Sequence, residues 1–271
     1  MIDDIVDFHV HSAPSLAPRH TCDPDTLIAA RDAGITTFVL KAHEGTTAER
    51  ALLLGDEAVG GVVLNSPVGG ANPEAVAVAA QLGAKVVWMP TISSPAHIAA
   101  NQNPELSAHS GISFRPVSVV EDGAVRDEWY EVFDEVARND MVLASGHLTM
   151  DEAVVALGVA RSRGVERLIV NHPGLRFLNW REEHSEQFRA LGAHLEIGVL
   201  ADLLVGPAGP STEDLVARYP HELLVFGSDL GHRDYPPIGE GIRAWIERLD
   251  PILGDAGLVK VTRTSARHLL E

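Results

Sequence analysis

The chain alternates short apolar runs with segments of helical periodicity, and this alternation constrains its fold more than any other feature. The runs are apolar at successive positions, which is typical of strands buried on both faces. Eight are present: Ile5 to His11, Thr36 to Lys41, Val59 to Asn65, Lys85 to Pro90, Met141 to His147, Arg167 to His172, Ala193 to Gly198 and Leu223 to Asp229. Strands that alternate with helices form parallel sheets. We therefore predict an α/β fold, a single (β/α)8 TIM-type barrel, with an open doubly wound sheet as the alternative.

Segments with helical periodicity separate the runs, and several begin with a capping residue or a proline. We predict helices near residues 24–33, 47–57, 73–82, 128–139, 151–163, 184–192, 212–219 and 239–249, and a last helix over 258–271. No linker divides the sequence, so residues 1–271 are predicted to form one domain. The connection from Thr91 to Asp127 is too long for a simple loop and carries a strand-like piece at Ile112 to Val117. We predict a lid-like insertion after strand 4.

Composition narrows the classes of partner. The net charge of −17 disfavours binding to nucleic acid phosphates or to anionic lipid. No apolar stretch approaches the length of a membrane span. The start of the sequence is acidic and its single cysteine, Cys22, cannot form an internal disulfide, so a reducing cytoplasm is the expected location. The expected partner is a small-molecule substrate, and a homo-oligomer is left open.

Five potential metal ligands fall at or just after the ends of the predicted strands. His9 and His11 close the first run, and His147, His172 and Asp229 stand at the ends of three later ones. In a barrel these ends meet on one face, where the active site lies. Imidazoles with one carboxylate suit a divalent ion, with Zn²⁺ as first choice and Mn²⁺ or Fe²⁺ as alternatives. The sequence thus predicts a metal site that activates water.

Strand periodicity makes a further prediction about these side chains. Residues two apart on a strand point to the same side, so Asp7 and His9 are predicted to share a face, as are Leu143 and His147. Inward orientation of the last residue in each set would bring the ligands together on the barrel axis. His172 could then polarise a carbonyl or act as acid or base, and Asp229 could accept the proton of the activated water.

In order and position these motifs resemble the amidohydrolase superfamily. The resemblance rests on His-x-His after strand 1, Ser-Gly-His147, Asn-His172-Pro-Gly and Gly-Ser-Asp229, and it runs from residue 5 to the final helix. It implies a metal-dependent hydrolase acting on an amide, ester or lactone carbonyl, or a nonoxidative decarboxylase. It also implies that His9, His11, His147 and Asp229 are metal ligands and that His172 is a ligand or a catalytic imidazole.

The sequence departs from this family at strand 4. Binuclear members carry a carboxylated lysine or a glutamate at the end of that strand, whereas the only lysine here, Lys85, stands at its beginning. This departure favours a single metal ion. Lys41, which has the same strand parity as His43, could supply an unusual bridge to a second ion. We keep Lys41 and His43 as candidates for a second metal site.

Two other interpretations remain open. The sequence is also similar to PHP-type phosphoesterases, which share the His-x-His start, a histidine after strand 2 like His43, and a His-Pro pair like His172-Pro173. The spacing of Asp229 and His232 is one residue wider than that pattern, and Asn65 replaces the expected glutamate. A barrel that binds a small molecule without turnover is the alternative from outside the enzymes.

Predicted loops at the active-site face are rich in arginine in a chain with only 21 basic residues. The guanidinium group recognises carboxylates and phosphates through paired hydrogen bonds. We therefore predict a small anionic substrate, with these candidate binding residues: Arg19, Arg115, Arg176, Arg181 and Arg233. The remaining histidines, His97 and His109 among them, are interpreted as structural or surface residues.

Overall fold

The computed structural model describes residues 4–102, 111–204 and 209–271. Within these ranges the strands are β1 Ile5–Val10, β2 Ile35–Leu40, β3 Ala58–Val59, β4 Gly61–Val63, β5 Val86–Trp88, β6 Val120–Glu121, β7 Ala124–Val125, β8 Val142–Ala144, β9 Arg167–Val170, β10 His194–Ile197 and β11 Leu224–Phe226. The helices are α1 Asp23–Asp32, α2 Ala48–Leu54, α3 Pro73–Gln81, α4 Pro95–Asn101, α5 Glu128–Arg138, α6 Met150–Ser162, α7 Glu182–Ala190, α8 Val199–Leu203, α9 Thr212–Arg218, α10 Ile238–Val259 and α11 Ser265–Leu270.

The long strands form a ring of parallel neighbours. One sheet has the order β1-β2-β3 and the other β11-β10-β9-β8-β5-β4. Only Gly60 separates β3 from β4, so these two pieces form the third strand of the predicted eight. A parallel bridge between Val10 and Leu230 joins the last strand to the first, and the His11 amide donates to the Leu230 carbonyl at 2.9 Å. The predicted (β/α)8 barrel is confirmed.

Two groups of buried apolar side chains fill the molecule. The larger group lies between the outer faces of the strands and the surrounding helices, where Leu143 and Phe133 pack. The smaller group lies inside the ring and includes Phe8 and Trp88. Leu269 of α11 joins this inner group, so the final helix covers the barrel interior at the end opposite the predicted site.

The helices form where the sequence pattern predicts them. In α5, Trp129, Val132, Phe133 and Val136 are fully buried, and their spacing places them on one face. Thr149 begins α6 with a capping box to Glu152, which satisfies two amide groups at the helix start. The eight predicted helices are present with bounds shifted by a few residues, although α10 extends to Val259 with a break in helical geometry at Gly254.

The connection after strand 4 differs from its prediction in detail. It contains α4 and the antiparallel hairpin β6-β7. Among the described residues, those from 112 to 118 form no strand, so the strand-like piece predicted there is wrong. Residues 103–110, including His109, lie outside the described ranges. The role of this connection as a lid stays a prediction.

Within the described parts of the chain, no helix combines the length and the apolar character that crossing a bilayer requires.

Candidate metal centre

A bulge in β1 turns both histidines of the His-x-His motif toward the barrel axis. Three residue steps from Asp7 to Val10 face only two steps from Phe38 to Leu40 on β2, so β1 contains one extra residue. Such a bulge shifts the alternation of side chains. Phe8 points into the inner apolar group, as Val6 does, and because of the bulge the next residue, His9, and then His11 also face the interior.

Three donor atoms converge at this point. The Nε2 atoms of His9 and His11 lie 3.2 Å apart. The Oδ1 atom of Asp229 lies 3.1 Å from His9 Nε2 and 3.0 Å from His11 Nε2. Two ligands of a tetrahedral zinc ion are about 3.3 Å apart when each lies about 2.0–2.1 Å from the metal. The spacing of the three atoms therefore suits the ligand sphere of a small divalent ion.

Hydrogen bonds on the far sides of the two rings determine where their protons lie. His9 Nδ1 is 3.1 Å from a carboxylate oxygen of Glu196, which can only accept. His11 Nδ1 lies 2.9 Å from the Lys41 carbonyl, which also requires a proton on Nδ1, so the longer 3.3 Å approach of Arg19 is a packing contact. When these rings are neutral, each therefore presents the Nε2 lone pair inward.

The convergence of these lone pairs is the strongest reason to expect a cation. Burial alone would raise the pKa of Asp229, but the neighbouring His9, His172 and His11 bring that pKa well below its usual value, so the carboxyl group is ionised. Burial also lowers the pKa of His11 well below its usual value and keeps the ring neutral. When the rings are neutral, no proton lies among the three acceptor atoms, and they repel one another unless a positive ion lies between them. The residues fit a divalent metal.

His172 lies beside the three-donor group. Its Nδ1 is 3.1 Å from Glu196 Oε1, and its Nε2 is 3.6 Å from Asp229 Oδ2. That Nε2 atom is buried and has no hydrogen-bond partner among the described residues. Burial lowers the pKa of His172 to about 4, although the charges of Glu196 and Asp229 oppose this effect. A neutral imidazole with an unused lone pair can bind a metal or accept a proton.

His147 reaches the rim of the same space. Its ring centroid lies 5.6 Å from that of His172, and its Nδ1 lies 2.8 Å from Nδ1 of His97 on α4. Among the residues that the structure describes, one group of mutually close donor atoms comes from His9, His11 and Asp229, a second comes from His9, His172 and Glu196, and neither includes His147. His147 as a further ligand stays a prediction. His97 is not a remote structural residue but a buried contact of this candidate ligand.

Lys41 and His43 end the second strand close to these groups. The Lys41 ammonium is buried, lies 5.4 Å from the centre of the Trp88 ring, and has no hydrogen-bond partner among the described residues. Burial lowers its pKa to about 8. The His43 ring stacks on His11 with centroids 5.0 Å apart. Both candidates for a second metal site are therefore adjacent to the first.

Glu196 is the functional residue that the sequence reasoning missed. It occupies the middle of β10, is 2% exposed, and contacts both His9 and His172. Burial alone would raise its pKa, but the neighbouring imidazoles lower it, so Glu196 is ionised. A glutamate in the run from Ala193 to Gly198, which is apolar apart from Glu196 and His194, was the available signal, because a buried carboxylate needs polar partners.

The five candidate arginines occupy different environments. Arg19 is 6% exposed and contacts the site through His11, and burial lowers its pKa although Asp229 opposes this effect. Arg181 is exposed and forms ion pairs with Asp151 and Glu183. The other three are exposed: Arg115, Arg176 and Arg233. The structure thus brings one arginine of this set, Arg19, against the candidate ligands.

The strand-parity prediction is wrong for two strands. Leu143 packs outward against the helices, whereas Ala144 faces the interior, so a regular strand would not direct His147 inward. The chain reverses this alternation at Gly146, where φ is +61°. In β1, the bulge has the same effect between Asp7 and His9. His172 and Asp229 also have positive φ values of 50° and 55°, a conformation often found at functional sites.

Solved structures show the same architecture. A protein from Pseudomonas putida assigned provisionally as a 2-pyrone-4,6-dicarboxylic acid hydrolase aligns with 100% of this chain and 98% of its own length, with 16% identity and a TM-score of 0.65. A probable 2-pyrone-4,6-dicarboxylic acid hydrolase from Acinetobacter baumannii with citric acid bound aligns over 98% and 99%, with 12% identity and a TM-score of 0.65. A 2,6-dihydroxybenzoate decarboxylase complexed with 2,6-dihydroxybenzoate aligns over 99% of each chain, with 14% identity and a TM-score of 0.61.

At this level of identity the similarities show the fold: the chain has the same barrel architecture as solved structures that include an amidohydrolase and a decarboxylase. No curated protein matches the sequence. Over residues 4–196 the chain matches a family of unknown function, DUF6282, and it belongs to that family.

Proposed function

We propose that this protein is a metal-dependent hydrolase that acts on the amide, ester or lactone carbonyl of a small anionic molecule. The observation that carries the proposal is the convergence of two imidazole lone pairs and an ionised carboxylate, His9, His11 and Asp229, within 3.2 Å of one another. The barrels that resemble this one include two proteins assigned provisionally as 2-pyrone-4,6-dicarboxylic acid hydrolases, which supports a hydrolase acting on a small acid.

The residues of the site have different proposed roles. His9, His11 and Asp229 hold the ion, with His147 as the predicted further ligand. A divalent ion supplies Lewis acidity there, which lowers the pKa of water and polarises a carbonyl oxygen. His172 Nε2, 3.6 Å from Asp229 Oδ2, would serve as a proton acceptor, and Asp229 Oδ2 could share that proton.

Arg19 is the best candidate for recognition of the substrate's negative charge. It is the buried member of the predicted arginine set, and burial strengthens a paired hydrogen bond to a carboxylate. The Lys41 ammonium, which is buried without a hydrogen-bond partner among the described residues, adds positive charge close by. A ligand with one or more carboxylates fits this environment.

The test begins with elemental analysis of protein purified without chelator or added metal. We expect about one equivalent of zinc, manganese or iron per chain, and metal-dependent turnover within a panel of lactones, esters and amides that carry carboxylates. His9→Ala should abolish turnover and bound metal. His268→Ala, which removes an exposed histidine on α11, is the matched control and should do neither. If His9→Ala keeps both its turnover and its bound metal, the proposed centre is excluded.

A nonoxidative decarboxylase is the second candidate. The similarity to a 2,6-dihydroxybenzoate decarboxylase supports it. The two reactions differ in their atoms: hydrolysis incorporates an oxygen from H₂¹⁸O, whereas decarboxylation releases carbon dioxide and incorporates a solvent proton. Mass spectrometry of the product in labelled water separates them, and a generic phosphomonoester in the panel tests the phosphoesterase alternative. Bound ligand with no turnover would support a binding protein.

The stoichiometry of the metal decides the role of Lys41 and His43. One equivalent leaves the Lys41 ammonium to interact with an anionic ligand. Two equivalents, with the second lost in Lys41→Met and in His43→Ala while the first remains, would support the second site. Lys41→Met is informative because it keeps an unbranched side chain of similar length and removes the charge.

A further inference from the structure

One carboxylate in the barrel interior contacts two imidazoles at once. Oε1 of Glu196 lies 3.1 Å from Nδ1 of His9 and 3.1 Å from Nδ1 of His172. The other oxygen, Oε2, accepts a hydrogen bond from the Asn171 side chain at 3.0 Å. A carboxylate can only accept hydrogen bonds, so His9 must carry a proton on Nδ1 to make its contact. The close approach of His172 Nδ1 to the same oxygen favours a proton on that atom too.

The surroundings hold this carboxylate in place. Asn171 cannot easily rotate its amide, because its Oδ1 accepts from the Gly146 amide at 2.9 Å. Gly227, just after the neighbouring strand β11, leaves the space that the carboxylate fills, since a Cβ there would lie 3.0 Å from the carboxyl carbon of Glu196. The hydrogen bonds of Glu196 thus continue through Asn171 to the turn at Gly146 that presents His147.

We infer that Glu196 is a positioning residue that sets the proton location and ring orientation of both His9 and His172, and thereby couples the metal ligand to the catalytic imidazole. The inference rests on the proposed metal site. It means that both Nε2 lone pairs face Asp229 before any ligand binds. It also means that a proton accepted by His172 is stabilised by a negative charge on the opposite side of the ring.

An alternative use of the same atoms is a cation between His9, His172 and Glu196, whose donor atoms also lie close together. A neutral imidazole has one nitrogen lone pair available to a metal, so a neutral His9 could bind a cation through Nε2 or through Nδ1 but not through both. In that arrangement His9 would carry its proton on Nε2, 3.2 Å from His11 Nε2. The location of the proton on His9 therefore distinguishes a cation beside Asp229 from a cation beside Glu196.

The first experiment reads these protons directly. Two-bond ¹H-¹⁵N correlation spectra of the metal-free protein at pH 8 distinguish rings protonated on Nδ1 from those protonated on Nε2, and His9→Ala and His172→Ala assign the two signals. We expect both rings to be protonated on Nδ1. A proton on Nε2 of either ring would overturn the inference. Because this measurement needs no substrate, its outcome is separate from failure of the proposed reaction.

The second experiment measures metal affinity by competition with a chromophoric chelator. Glu196→Gln should raise the Kd about 10- to 100-fold, the usual effect of losing a partner of a metal-bound histidine. Gly227→Ala keeps the charge but displaces the carboxylate, so it should raise the Kd by less. Asp202→Asn is the matched control, because Asp202 is largely buried and bonds to Thr212, Trp245 and Arg248 outside the site.

The control should lower the melting temperature and leave the Kd unchanged. Wild-type Kd values in a folded Glu196→Gln protein would overturn the inference. If Glu196→Gln does not fold, the Gly227→Ala protein and the spectrum of the wild-type protein still decide the question. Correct proton locations and a raised Kd, with no turnover on any substrate, would leave the role of Glu196 intact and refute the proposed reaction.

Discussion

The substitution Asp229→Asn should act with opposite signs on the metal-free and the metal-bound protein. Without a metal at pH 8, where histidine with its usual pKa of about 6.5 is neutral, three acceptor atoms face one another. An asparagine amide can donate toward His9 Nε2 and His11 Nε2, which lie 3.1 Å and 3.0 Å from Asp229 Oδ1. The metal-free variant should therefore melt at or above the wild-type temperature.

Adding the metal should reverse the order of the two melting temperatures, so that the wild-type protein melts above Asp229→Asn. An ion that binds only the folded state stabilises it by about 2.7 kcal/mol at a free concentration of 100 times the Kd. For a chain of this size about 1 kcal/mol corresponds to about 2–4 °C, so the wild-type melting temperature should rise by about 5–10 °C. Asp229→Asn loses a charged ligand and should show little of this rise.

The assay is thermal unfolding followed by circular dichroism, with and without Zn²⁺, Mn²⁺ or Fe²⁺ under anaerobic conditions. His268→Ala should match the wild-type protein in both states. The reasoning fails if no metal raises the wild-type melting temperature. It also fails if the metal-free variant melts well below the wild-type protein, because Asp229 would then act as the partner of a protonated histidine.

Three further predictions concern particular residues. Gly146→Ala should destabilise the fold by about 1–3 kcal/mol and reduce metal-dependent activity, because φ is +61° and the new Cβ would lie 2.2 Å from the Met89 carbonyl oxygen. Urea unfolding measures the loss of stability, and a turnover assay measures the loss of activity. Unchanged turnover would contradict the role of this turn. Trp129→Ala should cost about 3–5 kcal/mol in the free energy of unfolding, because the side chain is fully buried on α5; a loss below about 1 kcal/mol would contradict it. Hydrogen bonds from Arg181 lower the pKa of Asp151 to about 2. This ion pair should contribute less than about 1 kcal/mol above pH 4 and lose it as the pH falls through 2, so the stability difference between Asp151→Asn and the wild-type protein should vanish at low pH.

The order of strands and helices could be predicted from the sequence because each element carries a local pattern. The run Leu223 to Asp229 and the buried face of α5 are examples, since apolar spacing alone indicates a strand or a helix. The histidine motif was also visible, because His9 and His11 close a strand at the end where barrel sites form.

The orientation of the ligands could not be predicted in this way. It depends on one extra residue in β1 and on a left-handed backbone at Gly146, His172 and Asp229. Packing between strands determines these departures, whereas sequence spacing reports only the regular alternation. Glu196 was missed for a related reason: its partner His9 is 187 positions away in the chain, and only closure of the barrel brings them together.

The contact between β1 and β11, which closes the barrel, gives the metal ligands a further structural role. His9 lies on β1 and Asp229 lies just after β11, the first and last strands of the barrel. Two backbone hydrogen bonds, from the Asp229 amide to the His9 carbonyl and from the His11 amide to the Leu230 carbonyl, join the chain there. An ion held by both ligands would act as a cross-link that closes a loop of about 220 residues, and chain-entropy arguments assign about 5 kcal/mol to a covalent bridge of that length. Loss of the ion would then free the ends of the ring before the rest, and amide exchange at Asp229 and His11 would report that opening.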